Sequence, residues 1–73
     1  MIKYIIRTRK GYVERVSVIN DRDKREWPFV LVIDTVSISE ALKFNDPDIA
    51  QQIADLLLDT KQGIYTVDSI NIR

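Results

Sequence analysis

The stretch that decides the fold runs from Asp46 to Gly63 and reads DPDIAQQIADLLLDTKQG. Asp46 can accept hydrogen bonds from the unpaired amides of a first helical turn, and Pro47 suits the first helical position because the amide that it lacks would have no partner there. Apolar residues then recur at helical spacing, which places them along one side of a helix. Gly63 is typical of a left-handed cap after the last turn. The spacing therefore predicts a helix over residues 47–61.

The predicted helix has an apolar side and an acidic side. The apolar stripe consists of Ile49, Ala50, Ile53, Ala54, Leu56 and Leu57. The opposite side carries Asp48, Gln52, Asp55 and Asp59, which line up because their spacing returns each to the same side of the helix. This acidic row is either an ordinary solvated face or a surface that meets a basic partner. We expect no metal site there, because carboxylates on an open helix offer few ligands and no enclosure.

A hairpin and a third strand are expected before the helix. Residues Ile2–Arg9 alternate in polarity, Lys10-Gly11 suits a two-residue turn, and Tyr12–Ile19 forms the return strand. The stretch Asn20–Glu26 is too polar to bury and is predicted to be a charged loop. Phe29–Ile33 is apolar on both sides, which is typical of a central strand.

The remaining segments complete the predicted fold. Residues 34–40 fit either a continued strand or a helical turn capped by Ser39. Ile64–Ile72 reads as the last strand, and a shift in the phase of its apolar residues predicts a bulge or bend near Asp68-Ser69. The order β-β-β-α-β predicts a single small α+β domain over residues 1–73, with one main helix packed on one face of an antiparallel sheet.

One helix covers only one face of such a sheet. The covered face is expected to carry Ile2, Tyr4, Ile6, Tyr12, Val16 and Val18, and the far face Ile5, Val13, Ile19, Val30 and Val32. Exposed apolar strand faces or edges in a small protein commonly mark a partner. We therefore expect a homodimer.

Composition excludes most catalytic chemistry. The 73 residues contain no cysteine and no histidine, which rules out Ser-His-Asp and Cys-His catalysis, disulfides and the usual zinc sites. Gly11 and Gly63 stand alone, so no phosphate-binding loop is present. Acid–base work by carboxylates needs a shaped cleft that a chain of this size rarely builds. We expect a protein that is not an enzyme and uses no cofactor.

The hydropathy pattern favours a cytoplasmic protein. No apolar run approaches the roughly 20 residues that a membrane-spanning helix needs, so no membrane partner is expected. The first four residues do not resemble a signal peptide.

Charge is unevenly distributed although the net charge is zero. Residues 1–26 carry eight basic and four acidic side chains, whereas residues 27–73 carry three basic and seven acidic ones. The two halves either face each other within the fold or leave a positive and a negative side, which would favour self-association.

Nucleic-acid binding is one hypothesis that this charge supports. The basic residues of the first hairpin are Arg7, Arg9, Lys10 and Arg15, with Tyr4 and Tyr12 interleaved. Cations and aromatic rings on a sheet are typical of several single-strand binders. The pI near 6.1 argues against strong phosphate affinity, and the two tyrosines are more simply core residues.

Protein binding is the leading hypothesis. Trp27, close to Arg22, Lys24 and Arg25 at the end of the charged loop, is the kind of aromatic anchor that interfaces favour. Asp48, Asp55 and Asp59 would form a second contact surface. A purely structural homo-oligomer is the third hypothesis.

Three short patterns carry a resemblance to a known group. They are the strand and Lys-Gly-Tyr turn within Ile5–Val13, the pair Ala41 and Phe44, and the run Ala50-x-x-Ile53-Ala54-x-x-Leu57. Together they cover less than half of the chain. They resemble small uncharacterised proteins encoded by bacteriophages and prophages of Gram-positive bacteria. The resemblance implies an accessory protein that binds a host protein or blocks a defence nuclease, and it implies no catalytic residues.

Overall fold

The structure is a computed structural model that describes residues 1–19, 29–61 and 63–72, and it confirms the predicted α+β architecture. Its elements in chain order are β1 (Ile2–Thr8), β2 (Gly11–Ile19), β3 (Phe29–Thr35), α1 (Pro47–Lys61) and β4 (Thr66–Asn71). The strands form one antiparallel sheet in the order β3-β2-β1-β4, and α1 packs against β1 and β4. Strand β3 is therefore an edge strand, and its predicted central position is wrong.

Helix α1 has the predicted bounds and the predicted N-cap. The Asp48 amide donates to Asp46 Oδ1 at 2.8 Å, and the Ala50 amide donates to the Asp46 carbonyl oxygen at 3.2 Å. The buried side chains are Ala50, Ala54 and Leu57. Ile49 is exposed, contrary to expectation, because it lies in the first turn beside the buried line rather than on it. Gln62 lies outside the described residues, so the left-handed cap at Gly63 stays a prediction.

The core lies between α1 and the helix-facing side of the sheet. Its buried residues are Ile6, Val13, Ala54 and Leu57, and the partly buried residues packed against them are Val16, Val32, Phe44, Ile53, Tyr65 and Val67. Val13 and Val32 therefore face the helix, and their predicted place on the far face is wrong.

A β-bulge in β2 explains the change of face at Val13, whereas Val32 shares the face of its partner Val16. Tyr12 pairs with Thr35 and Val13 with Asp34, but the next pair is Arg15 with Ile33, so β2 contains one extra residue at Glu14. The extra residue reverses the alternation of β2. Tyr12 consequently lies on the side opposite Val16, although the sequence placed the two on one face.

Two other turn and register predictions need correction. Thr8 pairs with Gly11, so the hairpin turn is Arg9-Lys10, one residue earlier than expected. Strand β4 pairs with β1 without interruption, from Ile2 opposite Asn71 to Arg7 opposite Thr66, so no bulge occurs near Asp68-Ser69. The apolar residues of β4 change phase because they lie on different faces of the sheet. Val67 packs on the core, and Ile70 lies on the other face.

Strands β1 and β2 diverge beyond their turn, and residues 41–44 fill the space between them. Tyr4 and Phe44 exchange backbone hydrogen bonds of 2.9 and 2.8 Å, and the Leu42 amide donates to the Val13 carbonyl oxygen at 2.9 Å. Among the described residues, β1 pairs with β2 only at Arg7–Tyr12 and Thr8–Gly11. Strands β2 and β3 therefore form a two-stranded ribbon, which is joined to the rest of the sheet near its Gly11 end.

The segment 36–46 also closes the far side of β1. Successive turn bonds, from Glu40 to Ser37 and from Ala41 to Ile38, favour the turn interpretation of this region over a continued strand. Lys3 donates to the Asn45 side chain, and the Thr35 hydroxyl donates to Glu40 at 3.3 Å. These contacts bring the segment over the far face, where Ile5 is buried. The far face is therefore covered at β1, contrary to the expectation of an open face.

No helix within the described ranges is long and apolar enough to cross a membrane.

Gly11 is the position where the hairpin least tolerates a side chain. Its φ is 142°, and a Cβ atom there would lie 2.4 Å from the Thr35 carbonyl oxygen. Gly11→Ala is expected to destabilise the fold by about 1–3 kcal/mol, because both the backbone conformation and the close approach oppose it. Urea denaturation measures the loss. Gln52→Ala is the control, since Gln52 is exposed within α1 and its replacement requires no change of backbone conformation. Equal denaturation midpoints for the two variants would contradict this account.

The free energy of unfolding is expected to fall at alkaline pH because of Tyr65. Burial and the nearby negative charge of Asp34 raise the pKa of the Tyr65 phenol above its ordinary value of 10.0. The unfolded chain releases this proton at a lower pH than the folded protein does. The contribution of protonated Tyr65 to the free energy of unfolding is therefore complete below pH 10.0 and is lost as pH rises through the pKa of the folded state. The difference in phenolate absorbance between wild type and Tyr65→Phe gives the titration curve. A midpoint at or below 10.0 would be inconsistent with the packing.

Candidate functional site

The side of the sheet away from α1, called the outer face here, is defined by strand pairing. Arg7 pairs with Tyr12 and Tyr12 with Thr35, so these three side chains share a face. Strand β3 continues the alternation, which adds Ile33, its partner Arg15 and then Leu31 to the same face. Segment 36–46 covers this face near Ile5 and leaves the ribbon end open.

The open part of the outer face is apolar along β3. Leu31 is 44% exposed and Ile33 is 48% exposed, and Val36, just past the strand, is 85% exposed. An isolated exposed apolar residue is ordinary, but neighbouring ones on the same face of a strand form a patch. We call Leu31 and Ile33 the β3 patch, and Val36 lies beyond the end of the strand.

Strand β3 also exposes its backbone. It pairs with β2 on one side only, so the amides and carbonyl groups of its other side have no strand partner among the described residues. Edge strands usually carry charged residues or prolines that prevent pairing with another chain. Of the residues Phe29–Thr35, only Asp34 is charged.

The two edges of the sheet differ in character. Strand β4, at the opposite edge, reads Thr-Val-Asp-Ser-Ile-Asn and carries exposed or half-exposed polar side chains at four of six positions. This composition is typical of an edge that stays in water. The apolar edge at β3 is therefore a local property of that strand and not of the whole sheet.

Basic residues border the β3 patch. Arg7 and Arg15 are exposed on the outer face, and Arg9 and Lys10 are exposed in the turn. Arg7 is within 3.4 Å of Asp68, so its charge is partly balanced by a residue of the same face. The nucleic-acid hypothesis named these four cations, and the structure places them at one end of the hairpin.

Acidic residues occupy the opposite side of the molecule. Asp48, Asp55 and Asp59 are all exposed on α1, and Asp55 accepts a hydrogen bond of 2.9 Å from the Gln51 side chain. Because α1 packs on the other face of the sheet, the acidic row and the outer-face arginines point away from each other. Residues 20–28, which include six charged side chains, lie outside the described ranges, so both alternatives for the uneven charge of the sequence stay open.

The predicted anchor Trp27 and its neighbours Arg22, Lys24 and Arg25 lie outside the described residues. Their relation to the acidic row on α1 is therefore not described. Within the described ranges, no group of three or more acidic residues is placed to hold a metal ion.

Sequence reasoning missed Leu31 and Ile33 as surface residues. It assigned Phe29–Ile33 to the centre of the sheet because both sides of the strand are apolar. The same pattern also fits an edge strand that a partner covers, and strand order distinguishes the two cases. The signal that could have found the patch is the absence of charge from residues 27–33, directly after a highly charged loop.

Comparison with models of protein families, with curated proteins and with solved structures gave no significant match to this chain.

Proposed function

We propose that this protein is a non-enzymatic protein-binding module and that its contact surface is the edge of β3. The observation that carries the proposal is the β3 patch, where Leu31 and Ile33 stay half exposed beside an unpaired strand edge. Water solvates such apolar side chains poorly, and burying them against a partner is favourable.

An added strand is the binding mode that fits this edge. An extended segment of a partner can complete the backbone hydrogen bonds of β3, while Leu31 and Ile33 supply apolar contact on alternate positions. The backbone bonds fix the direction of the segment, and the side chains select its sequence. No catalytic group is needed for this role.

Charge on the two sides of the molecule would orient the encounter. A partner that approaches the β3 patch meets Arg15 on the same face, whereas Asp48, Asp55 and Asp59 lie on the opposite side. Acidic segments are therefore favoured over basic ones at the β3 edge. The helix row remains available as a second contact surface for a basic partner.

The resemblance to phage and prophage proteins suggests which partner to seek. It favours a host protein, such as a defence nuclease, and an accessory role as its inhibitor or regulator in the host cytoplasm. This finer identity rests on the resemblance alone, and the β3 edge supports only the binding role.

The first test is affinity capture from a lysate of the cell in which the gene is expressed. Wild-type protein is expected to retain a partner that mass spectrometry identifies and that binds again after separate purification. Ile33→Asp should weaken that binding about tenfold or more, because it places a charge in the centre of the patch.

The matched control is Ile64→Asp, which introduces the same charge at an apolar side chain that is 60% exposed outside the sheet. Binding by Ile64→Asp should equal that of wild type. If Ile33→Asp binds the purified partner as tightly as wild type, the β3 edge is not the contact surface.

Single-strand nucleic-acid binding is the second candidate, and the position of Tyr12 favours it. Tyr12 is half buried on the outer face next to Arg7 and on the same face as Arg15, whereas the sequence placed it in the core. An aromatic ring flanked by guanidinium groups can stack on a base while the cations contact phosphates. The pI near 6.1 predicts low affinity that depends strongly on salt.

Gel shifts with single-stranded DNA at two salt concentrations test this candidate. If it holds, Arg15→Ala weakens binding and lowers the salt slope by about one, as expected for the loss of one phosphate contact. The control variant Lys61→Ala on α1 should leave both the binding affinity and the salt slope unchanged. The absence of any shift at low salt would end this hypothesis.

A further inference from the structure

We propose that the partner of the β3 edge is a second copy of this chain, paired antiparallel about a two-fold axis at Val32. The inference rests on the proposed function, because it names the occupant of the same edge. A two-fold dimer of this kind would join the two ribbons edge to edge, so that the four-stranded sheets of the two copies become one eight-stranded antiparallel sheet.

The strand is suited to pairing with itself because it is almost free of charge. In the register centred on Val32, the residue one position before Val32 faces the residue one position after Val32 in the second copy. The pairing continues outward in the same way along both strands. Leu31 then lies opposite Ile33 of the second copy, and Asp34 lies opposite position 30, which is a valine. Like charges are therefore never opposed across the seam, and such opposition is what normally prevents self-pairing of edge strands.

This register also joins the two β3 patches. Cross-strand partners share a face, so Leu31 and Ile33 from both copies form one apolar row across the seam on the outer face. On the other face Val32 meets its own counterpart, next to Val16, its partner within the chain. Half-exposed residues on both copies thus become buried by the same association.

Charge at the borders of the seam is compatible with two-fold symmetry. Arg15 flanks Ile33 on β2, so the two Arg15 side chains lie on the two β2 strands that border the seam, at opposite ends of the apolar row. Helix α1 packs mainly against β1 and β4, on the face of the sheet opposite to the apolar row. The polar β4 edge offers no comparable seam.

The seam would be small. One strand pair and four central apolar side chains correspond to the class of transient interfaces, which bury less than roughly 1,200 Å². We therefore expect a reversible dimer that becomes populated as protein concentration rises. Wild type should show this concentration dependence in sedimentation velocity.

Cysteine cross-linking tests the register directly, because the natural chain contains no cysteine. Leu31→Cys and Ile33→Cys are purified separately, one with a size tag, then mixed and oxidised. Directly opposite positions have the Cβ separation that a disulfide needs, and diagonal positions do not. The mixed dimer should exceed its statistical share, and Ile64→Cys should cross-link poorly. A predominance of Leu31–Leu31 or Ile33–Ile33 dimers would overturn the register.

Sedimentation velocity measures dimerisation independently of partner capture, so the two proposals can fail separately. Ile33→Asp should raise the dimer dissociation constant about tenfold or more, while Ile64→Asp should leave it unchanged. A wild-type chain that stays monomeric at every concentration overturns the dimer. If Ile33→Asp then still loses a captured partner, the β3 edge binds another protein and the proposed function stands. If a monomeric wild type also captures no partner, both proposals fail.

Discussion

The insertion of residues 41–44 between β1 and β2 is the constraint on which the rest of the structure depends. The backbone bonds from Phe44 to Tyr4 and from Leu42 to Val13 occupy positions that a regular hairpin would use for its own ladder. Because these groups are satisfied by the insertion, β1 and β2 can separate without leaving buried polar atoms unpaired. Among the described residues, the separation leaves β2 and β3 as a ribbon that is joined to β1 only near the Gly11 end. Leu31 and Ile33 lie on the outer face of this ribbon, away from α1, and stay exposed there.

Local features of the fold were predictable from the sequence, and features set by distant pairing were not. The helix bounds, the Asp46 cap and the order of elements depend on neighbours in the chain, and all three were predicted. The edge position of β3, the bulge at Glu14 and the burial of Ile5 depend on contacts between remote segments. Periodicity reports which side chains alternate, but it cannot tell which strand lies at an edge or where one extra residue reverses the faces.

The candidate site was predicted only in part for the same reason. The acidic row on α1 was found because helical spacing alone places Asp48, Asp55 and Asp59 together. The β3 patch was missed because its exposure depends on strand order. Tyr12 was assigned to the wrong face because the bulge was invisible in the sequence. The outer-face arginines and the acidic row on α1 lie on opposite faces of the sheet, so a charged partner would meet different side chains on each.

The bulge at Glu14 has a consequence for how this chain can change over evolutionary time. Glu14 is the one extra residue of β2 against β3. Deleting Glu14 would leave Val13 opposite Asp34 and Arg15 opposite Ile33 in a regular strand, so Val16 would still face the core. Deleting a residue further along β2 would instead turn the side chains beyond it to the other face. Variation in the length of the ribbon should therefore be concentrated in its loop and at the bulge. The ribbon can lengthen or shorten at its tip while its two faces keep their identities.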